Sequence, residues 1–312
     1  MPINTQSEPT MAQAIVEAHP QLQLEVPPAS NPLTFASAGP VYRTAKQAAL
    51  QLGFIEIDAE CIAKAWQRQT ERSACFDAAQ WPSNPLDFGL ASWPRAKTFA
   101  PCPRQLGLYA VLPSADWVAR MAQAGVPTLQ LRLKSDDVTL VAQQVKASVQ
   151  AVQGTQSLLF INDHWQAAIE AGAYGVHLGQ EDMDALGSAN IDQIRRAGLR
   201  LGLSTHGYAE MVKADAHSPS YIAMGAVYAT TLKRMVTPPQ GPGRLAQYAK
   251  LMANYPLVAI GGIDDGKLGA VLASGVGSVA VVRAITGAAK PEQAVADLMQ
   301  KINGALANQA QS

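Results

Sequence analysis

The sequence predicts an α/β chain, a (β/α)8 TIM barrel with an N-terminal, mainly helical extension. Three observations predict it. From Arg104 onward, short β-branched or apolar runs alternate with helix-length amphipathic segments, the pattern of βα units laid into a parallel sheet. Eight such units fit into about 200 residues, which suits closure into a barrel with short loops. Ahead of Arg104 the rhythm differs, with two stretches of helical spacing followed by a proline-rich segment.

Taken in order, residues 1–40 carry Pro, Ser, Gln and Asn with one short helix-like stretch, Met11 to Ala18, and are expected to form a loosely ordered tail. Residues 41–103 are expected to form a small helical extension and linker. TAKQAALQLGF (44–54) and DAECIAKAWQRQTERSACF (58–76) place apolar residues at helical spacing, and Asp58 stands where an N-cap of the second helix would. QWPSNPLDFGLASWPRAKTFAPCPR (80–104) reads as an extended, proline-rich connection. The barrel is assigned to residues 104–312. Its strands are expected at 106–112, 128–134, 157–163, 175–179, 200–206, 221–227, 257–263 and 278–285. A doubly wound open sheet would need a topological reversal, and no dinucleotide-binding glycine fingerprint follows any of these runs.

Composition narrows the function. Hydrophobic residues make up 48% of 312, enough for a large core. Lys+Arg and Asp+Glu both total 24, so neither a nucleic-acid tract nor a polybasic membrane anchor is expected. Cys61, Cys75 and Cys102 have no CxxC spacing and leave one over after any pairing, which argues against a disulfide framework or structural zinc. No secretory leader or long apolar span is read, so a cytoplasmic chain acting on small molecules is expected, with homo-oligomerisation left open.

The predicted strands end in polar or glycine clusters. These are Gln130, Arg132 and Lys134 on strand 2, Asn162-Asp163 on strand 3, and Gly179-Gln180-Glu181-Asp182 after strand 4. Further on come Ser204-Thr205-His206, Thr230-Thr231-Leu232-Lys233, Gly261-Gly262 and Arg283. In a barrel all C-terminal strand ends meet on one face, so these groups converge. Arg132 and Lys134 alternate with Leu131 and Leu133 and so share a strand face. Asp163 and Asp182 are hard oxygen ligands suited to Mg²⁺, which bridges to substrate phosphates. Arg132, Lys134 and Lys233 supply cations for phosphate oxygens. Each cluster also has a plainer reading. Asn162-Asp163 and Asp182 could be helix caps and Gly261-Gly262 a tight turn. His177 reads as a satisfied interior histidine, His164 as structural, and His19 and His217 as surface residues.

In this order, QLRLK (130–134), IND (161–163), GVHLGQED (175–182), LSTH (203–206), LK (232–233), AIGGI (259–263) and SVAVVRAI (278–285) resemble the thiamine-phosphate synthase family over about 200 residues. The resemblance implies a transferase that joins 4-amino-2-methyl-5-hydroxymethylpyrimidine diphosphate to thiazole phosphate, releasing pyrophosphate. It implies that Gln130, Arg132, Lys134 and Asn162 hold the pyrimidine diphosphate, that Asp163 and Asp182 bind Mg²⁺, and that Ser204 contacts the pyrimidine. Lys233 would reach the diphosphate, while Thr230, Thr231, Gly262, Val282 and Arg283 would receive the thiazole phosphate. Catalysis would rest on Arg132, Lys134, Ser204 and Lys233. Two departures affect the thiazole half: Leu232 stands where the family usually keeps threonine, and Arg283 where many members have serine. Two alternatives share the barrel, a thiazole tautomerase-like paralogue and a non-catalytic thiamine-precursor binding protein. Because every assigned group lies beyond Arg104, a fragment starting there is expected to keep the activity.

Overall fold

A computed structural model describes residues 7–24, 36–37, 39–230 and 237–309. Eight parallel strands close into a barrel in sequence order. They are β1 (Gly107–Leu112), β2 (Thr128–Leu131), β3 (Leu158–Asn162), β4 (Gly175–Leu178), β5 (Arg200–Thr205), β6 (Tyr221–Met224), β7 (Leu257–Ile260) and β8 (Ser278–Val281). All eight lie where the alternating pattern put them, but all except β1 stop earlier than their apolar runs. Arg132 and Lys134 therefore sit past the end of β2, although the Arg132 amide extends the ladder by donating to the Leu112 carbonyl at 2.8 Å. Closure pairs Gly107 to Ala110 of β1 with Ser278 to Val281 of β8.

The helices ahead of the barrel are α1 (Glu8–Ala18), α2 (Pro40–Gln51) and α3 (Glu56–Ser73). Those around it are α4 (Ala115–Gln123), α5 (Val138–Ala151), α6 (Trp165–Ala171), α7 (Gln180–Arg196), α8 (Tyr208–Ala216) and α9 (Gly241–Leu251), followed by α10 (Leu268–Leu272), α11 (Arg283–Thr286) and α12 (Pro291–Gln309). Local chemistry sets several starts. The Asp137 carboxylate accepts from the Thr139 and Leu140 amides at the head of α5, and Ser114 accepts from Trp117 at the head of α4. None of the described helices is long and apolar enough to cross a membrane. All three cysteines are free thiols.

Inside the barrel a small apolar cluster of Leu106, Tyr109, Val111, Phe160, Tyr221, Ala223, Val258 and Ala280 fills the lower layers. Large rings are matched by missing side chains. A Cβ on Gly202 would come within 2.1 Å of the Tyr221 ring, and one on Gly175 within 2.6 Å of Phe160. The floor is thus a packed plug, and polar side chains are displaced upward to the mouth.

The extension is packed against the barrel. Phe54, Trp66 and Trp81 belong to the same continuous apolar cluster as Tyr208 of α8 and Leu245 and Tyr248 of α9. The tail expected at 1–40 is therefore ordered over Glu8–Leu22, where Met11, Ala12, Ile15 and Leu22 are buried. A three- to four-residue spacing of apolar groups gave that stretch a face to bury. Residues 25–35 fall outside the described residues. His19, expected at the surface, is 5% exposed between the Trp66 and Trp81 rings, its Nε2 paired with the Ala78 carbonyl.

Asp58 also departs from expectation. It lies inside the first turn of α3, and its carboxylate reaches across to the Ala209 amide of α8 at 2.8 Å. Burial raises its pKa from an ordinary 3.8 to about 6, with Glu210 adding to the rise and the Ala209 amide and the Arg244 guanidinium opposing it. A folded-state pKa above the unfolded one means that the folded protein binds the extra proton. Stability from this group is fully present below about pH 4 and is lost as pH rises through 6. We expect urea unfolding of the parent to lose on the order of 2–3 kcal/mol between pH 4 and 7.5 relative to Asp58→Asn, which caps without charge. Parallel pH profiles for the two proteins would overturn this assignment.

Candidate active site

The mouth is built from the inward-facing residues at the C-terminal ends of β2 to β5. Gln130 and Asn162 are 4% and 8% exposed, and His177 is 8% exposed. Strand register sets Asn162 beside His177 and Gln130 beside Phe160. Beneath them runs a hydrogen-bonded chain. The Gln130 amide donates to the Tyr109 hydroxyl at 3.1 Å, which pairs with the Tyr221 hydroxyl at 2.7 Å. Tyr221 pairs in turn with His177 Nδ1 at 2.7 Å, and His177 Nε2 with Ser204 Oγ at 2.8 Å. Burial pushes both tyrosine phenols well above their ordinary pKa, so they remain protonated donors. The interior histidine read from the sequence is indeed satisfied, and Tyr221 and Ser204 are among its partners.

Asp163 follows β3 in the left-handed region, φ 63°, which aspartate tolerates better than most side chains. It does not cap α6, whose N-cap is His164 and has no side-chain cap bond. Its carboxyl stands near enough to Asp182 for the two carboxylates to interact. Partial loss of water, then the Asp182 carboxylate, raise the Asp163 pKa, while Arg132 pulls it down. Asp182 has two directions to serve. One oxygen accepts from the Gly179 amide at 2.9 Å, reaching back to the N-cap residue at the head of α7. The capping reading of Asp182 therefore holds for one oxygen, and the carboxyl still approaches Asp163. Two like charges held this close form a donor set that favours a shared cation. Among the described residues no group of three or more His, Cys, Asp or Glu could hold a metal. A cation held here would thus leave positions open to water and phosphate.

Arg132 is half-buried beside this pair and Lys134 is exposed at the rim. His164 Nε2 pairs with the Leu133 carbonyl at 3.2 Å, fastening the β2 and β3 ends together. The Gln180 amide donates to the Ser204 carbonyl at 2.7 Å and does the same for β4 and β5.

The other half of the mouth is made of backbone. Gly261 and Gly262 have φ of 104° and 63°. A Cβ on Gly262 would lie 2.4 Å from the Ala229 carbonyl, and one on Gly225 2.2 Å from the Ile260 carbonyl. Only glycine allows this approach of the β6 and β7 ends. Lys267, a cation the sequence reading did not single out, donates to the Gly262 carbonyl at 3.0 Å and pairs with Asp264. Thr230 is described, and Thr231, Leu232 and Lys233 lie outside the described residues. Val282 is the N-cap residue of α11, and Arg283, at its first position, is exposed.

Comparison with known proteins bears on this geometry. The sequence pattern described as "Thiamine monophosphate synthase" matches residues 108–285. The chain belongs to the thiamine monophosphate synthase family. Thiamine-phosphate synthase of Neisseria meningitidis serogroup A is 54% identical over 198 residues, 64% of this chain and 95% of that protein. Its counterpart from Serratia proteamaculans is 48% identical over 206 residues, 66% of this chain and 96% of that protein. The solved thiamine phosphate pyrophosphorylase from Pyrococcus furiosus is 26% identical, with a TM-score of 0.56, covering 65% of this chain and 98% of that one. The family match begins inside β1, so residues 1–107 lie outside it.

Within this family barrel, Tyr109 and Tyr221 escaped the sequence reading because aromatic residues at alternating strand positions look like ordinary core. The usable signal was their spacing, which points both hydroxyls inward beneath polar strand ends. Tyr221→Phe removes a hydroxyl that serves Tyr109 and His177 together. It should cost about 1–3 kcal/mol of unfolding free energy, the cost of leaving buried polar groups unmatched. Chemical denaturation of parent and variant tests this, and an unchanged midpoint would show that the chain contributes nothing.

Proposed function

We propose that this mouth joins 4-amino-2-methyl-5-hydroxymethylpyrimidine diphosphate to 4-methyl-5-(2-phosphooxyethyl)thiazole, giving thiamine phosphate and pyrophosphate. The observation that carries the reading is the Asp163–Asp182 pair beside Arg132, facing Gln130, Asn162 and Ser204 across one mouth. Relatives named thiamine-phosphate synthase, matched over nearly their whole length, support it. A tautomerase that only moves a proton on the thiazole would have no use for the paired carboxylates.

In this reading Gln130, Asn162 and Ser204 orient the pyrimidine, with Ser204 held in place by His177. Arg132, Lys134 and Lys233 bind the diphosphate. The pyrimidine amino group donates electron density toward the methylene, the C–O bond breaks, and its electron pair leaves with pyrophosphate. The thiazole nitrogen then gives its lone pair to the resulting carbocation, forming the C–N bond. No protein nucleophile is needed, and the cationic side chains act by favouring charge that accumulates on the departing oxygens. Asp163 and Asp182 would hold Mg²⁺, which when bound offsets phosphate charge. Thr230, Thr231, Gly262, Val282 and Arg283 receive the thiazole phosphate, with close-packed glycine backbone supporting the pocket.

Pyrophosphate release with both substrates and Mg²⁺ tests the reading directly; absence of product with the folded parent would overturn it. Asp163→Asn and Asp182→Asn should each lower turnover by roughly 10²–10³, the usual cost of one lost transition-state charge contact. Full activity of either variant at low Mg²⁺ would remove the carboxylates from the metal site. Arg283→Ser should raise the KM for thiazole phosphate by roughly 10- to 100-fold, the worth of a charge-assisted hydrogen bond, with little change for pyrimidine diphosphate. Separate titration of the two substrates decides it, and equal effects on both would exclude Arg283 from the pocket.

A further inference from the structure

The segment ahead of the barrel grips the two helices that frame the mouth between β5 and β7. Two residues separate the end of β5 from the start of α8, and the N-cap position is Gly207, which has no side chain to offer. Asp58 of α3 fills that role from outside, accepting from the Ala209 amide at 2.8 Å. The fit is close: a Cβ on Gly207 would stand 2.0 Å from Asp58 Oδ2. Trp81 Nε1 donates to the Tyr208 hydroxyl at 2.8 Å in the same turn, and Phe88 stacks on that ring at 5.0 Å. At the other end of α8, Arg95 donates to the Asp215 carboxylate at 2.5 Å and to the Asp215 carbonyl at 2.7 Å, with both side chains under a tenth exposed. Helix α8 is therefore held at both ends by the extension.

Helix α9 is held differently. Arg244, 2% exposed, donates from Nε to the Leu22 carbonyl at 2.9 Å and from Nη2 to the Leu52 carbonyl at 2.8 Å. Its Nη1 donates to Gln240 Oε1 at 3.1 Å, and its guanidinium lies 3.5 Å over the Phe54 ring. Gln240 in turn donates its backbone amide to the Ala226 carbonyl at 2.9 Å, just past β6. A continuous run of hydrogen bonds thus links the chain turns at Leu22 and Leu52 to the foot of the β6–α9 loop, the loop that carries Thr230 to Lys233.

We propose that residues 8–104 are a positioning element of the mouth, with Asp58 fixing the β5 end that bears Ser204 and Arg244 fixing the foot of the β6–α9 loop. This rests on the assignment of Ser204 to the pyrimidine and of that loop to the thiazole phosphate. It makes the extension part of the working enzyme, so the barrel fragment from Arg104 does not keep full activity. The two contacts serve different substrates. Losing the Asp58 cap disturbs the pyrimidine side, and weakening Arg244 disturbs the thiazole side. Neither residue touches substrate.

The test uses the full chain. Asp58→Ala should raise the KM for pyrimidine diphosphate roughly tenfold, the factor equivalent to one lost helix cap, and speed amide exchange across 205–216. Gly207→Ser alone should do the same, because its Cβ meets Asp58. Asp58→Ala combined with Gly207→Ser returns a cap to the helix's own N-terminus and should restore both readings. Arg244→Lys should instead raise the KM for thiazole phosphate and speed exchange at 237–245. A purely structural role predicts less active protein with both KM values unchanged, and that result overturns the proposal. So does a folded Asp58→Ala with parental exchange and KM. Should Asp58→Ala fail to fold, recovery in the double variant supports the trans cap and failure of the double variant overturns it. A parent inert in pyrophosphate release sinks the proposed reaction instead, while the exchange and rescue measurements still read the clamp.

Discussion

Closure of the parallel hydrogen-bond ladder between β1 and β8 is the constraint on which everything else depends. Without it, strand ends drawn from about 150 residues of sequence would be spread along an open edge. With it, Gln130, Asn162, Asp163, Asp182, Ser204 and Gly262 stand around one opening. Closure also decides which groups must be polar. The lower layers are filled by Tyr109, Phe160 and Tyr221, with Gly202 and Gly175 making room for the Tyr221 and Phe160 rings. The hydroxyls of two of those rings then need partners, and they pair with each other and with Gln130 and His177 at the mouth. Packing of the floor and orientation of Ser204 are one problem with one solution.

How much of this was legible in the sequence follows from the periodicities involved. Eight strands with helices between them were readable because a buried parallel strand is a short apolar run and its crossover helix an amphipathic one. Strand ends were readable only to within about three residues, since Leu133 and Ile263 look like strand but stand beyond the last ladder bond. The polar strand ends were visible as a set, because cations and carboxylates have few structural reasons to alternate with leucine on a covered strand. The Tyr109–Tyr221–His177 chain was not, since nothing in a one-dimensional pattern says that residues 112 and 44 positions apart meet.

The extension was the least legible part for a related reason. Its helices were found by spacing, yet their purpose lies in residues that look ordinary alone. Asp58 at a helix start reads as a local cap, and its true partner is 151 positions away. Arg244 carries no motif that singles it out, yet two backbone carbonyls and a phenylalanine face enclose it. Missing caps would have been a better clue than present ones. Gly207 opens α8 with no side chain, where Ser114 and Asp137 serve α4 and α5, and a helix without its own cap invites one from elsewhere.

The distance from Leu22 to Arg244, 222 positions, also has a temporal meaning. Synthesis delivers α1 to α3 first and their partners α8 and α9 near the end. At usual elongation rates, roughly ten to forty seconds pass between the emergence of Trp66 and that of Tyr248. Throughout that interval the first three helices can pack on one another, but the face that meets Tyr208, Leu245 and Tyr248 lacks its partners. The growing chain is most open to aggregation or to capture by a holding chaperone then, on the ribosome, and the risk ends when α9 arrives.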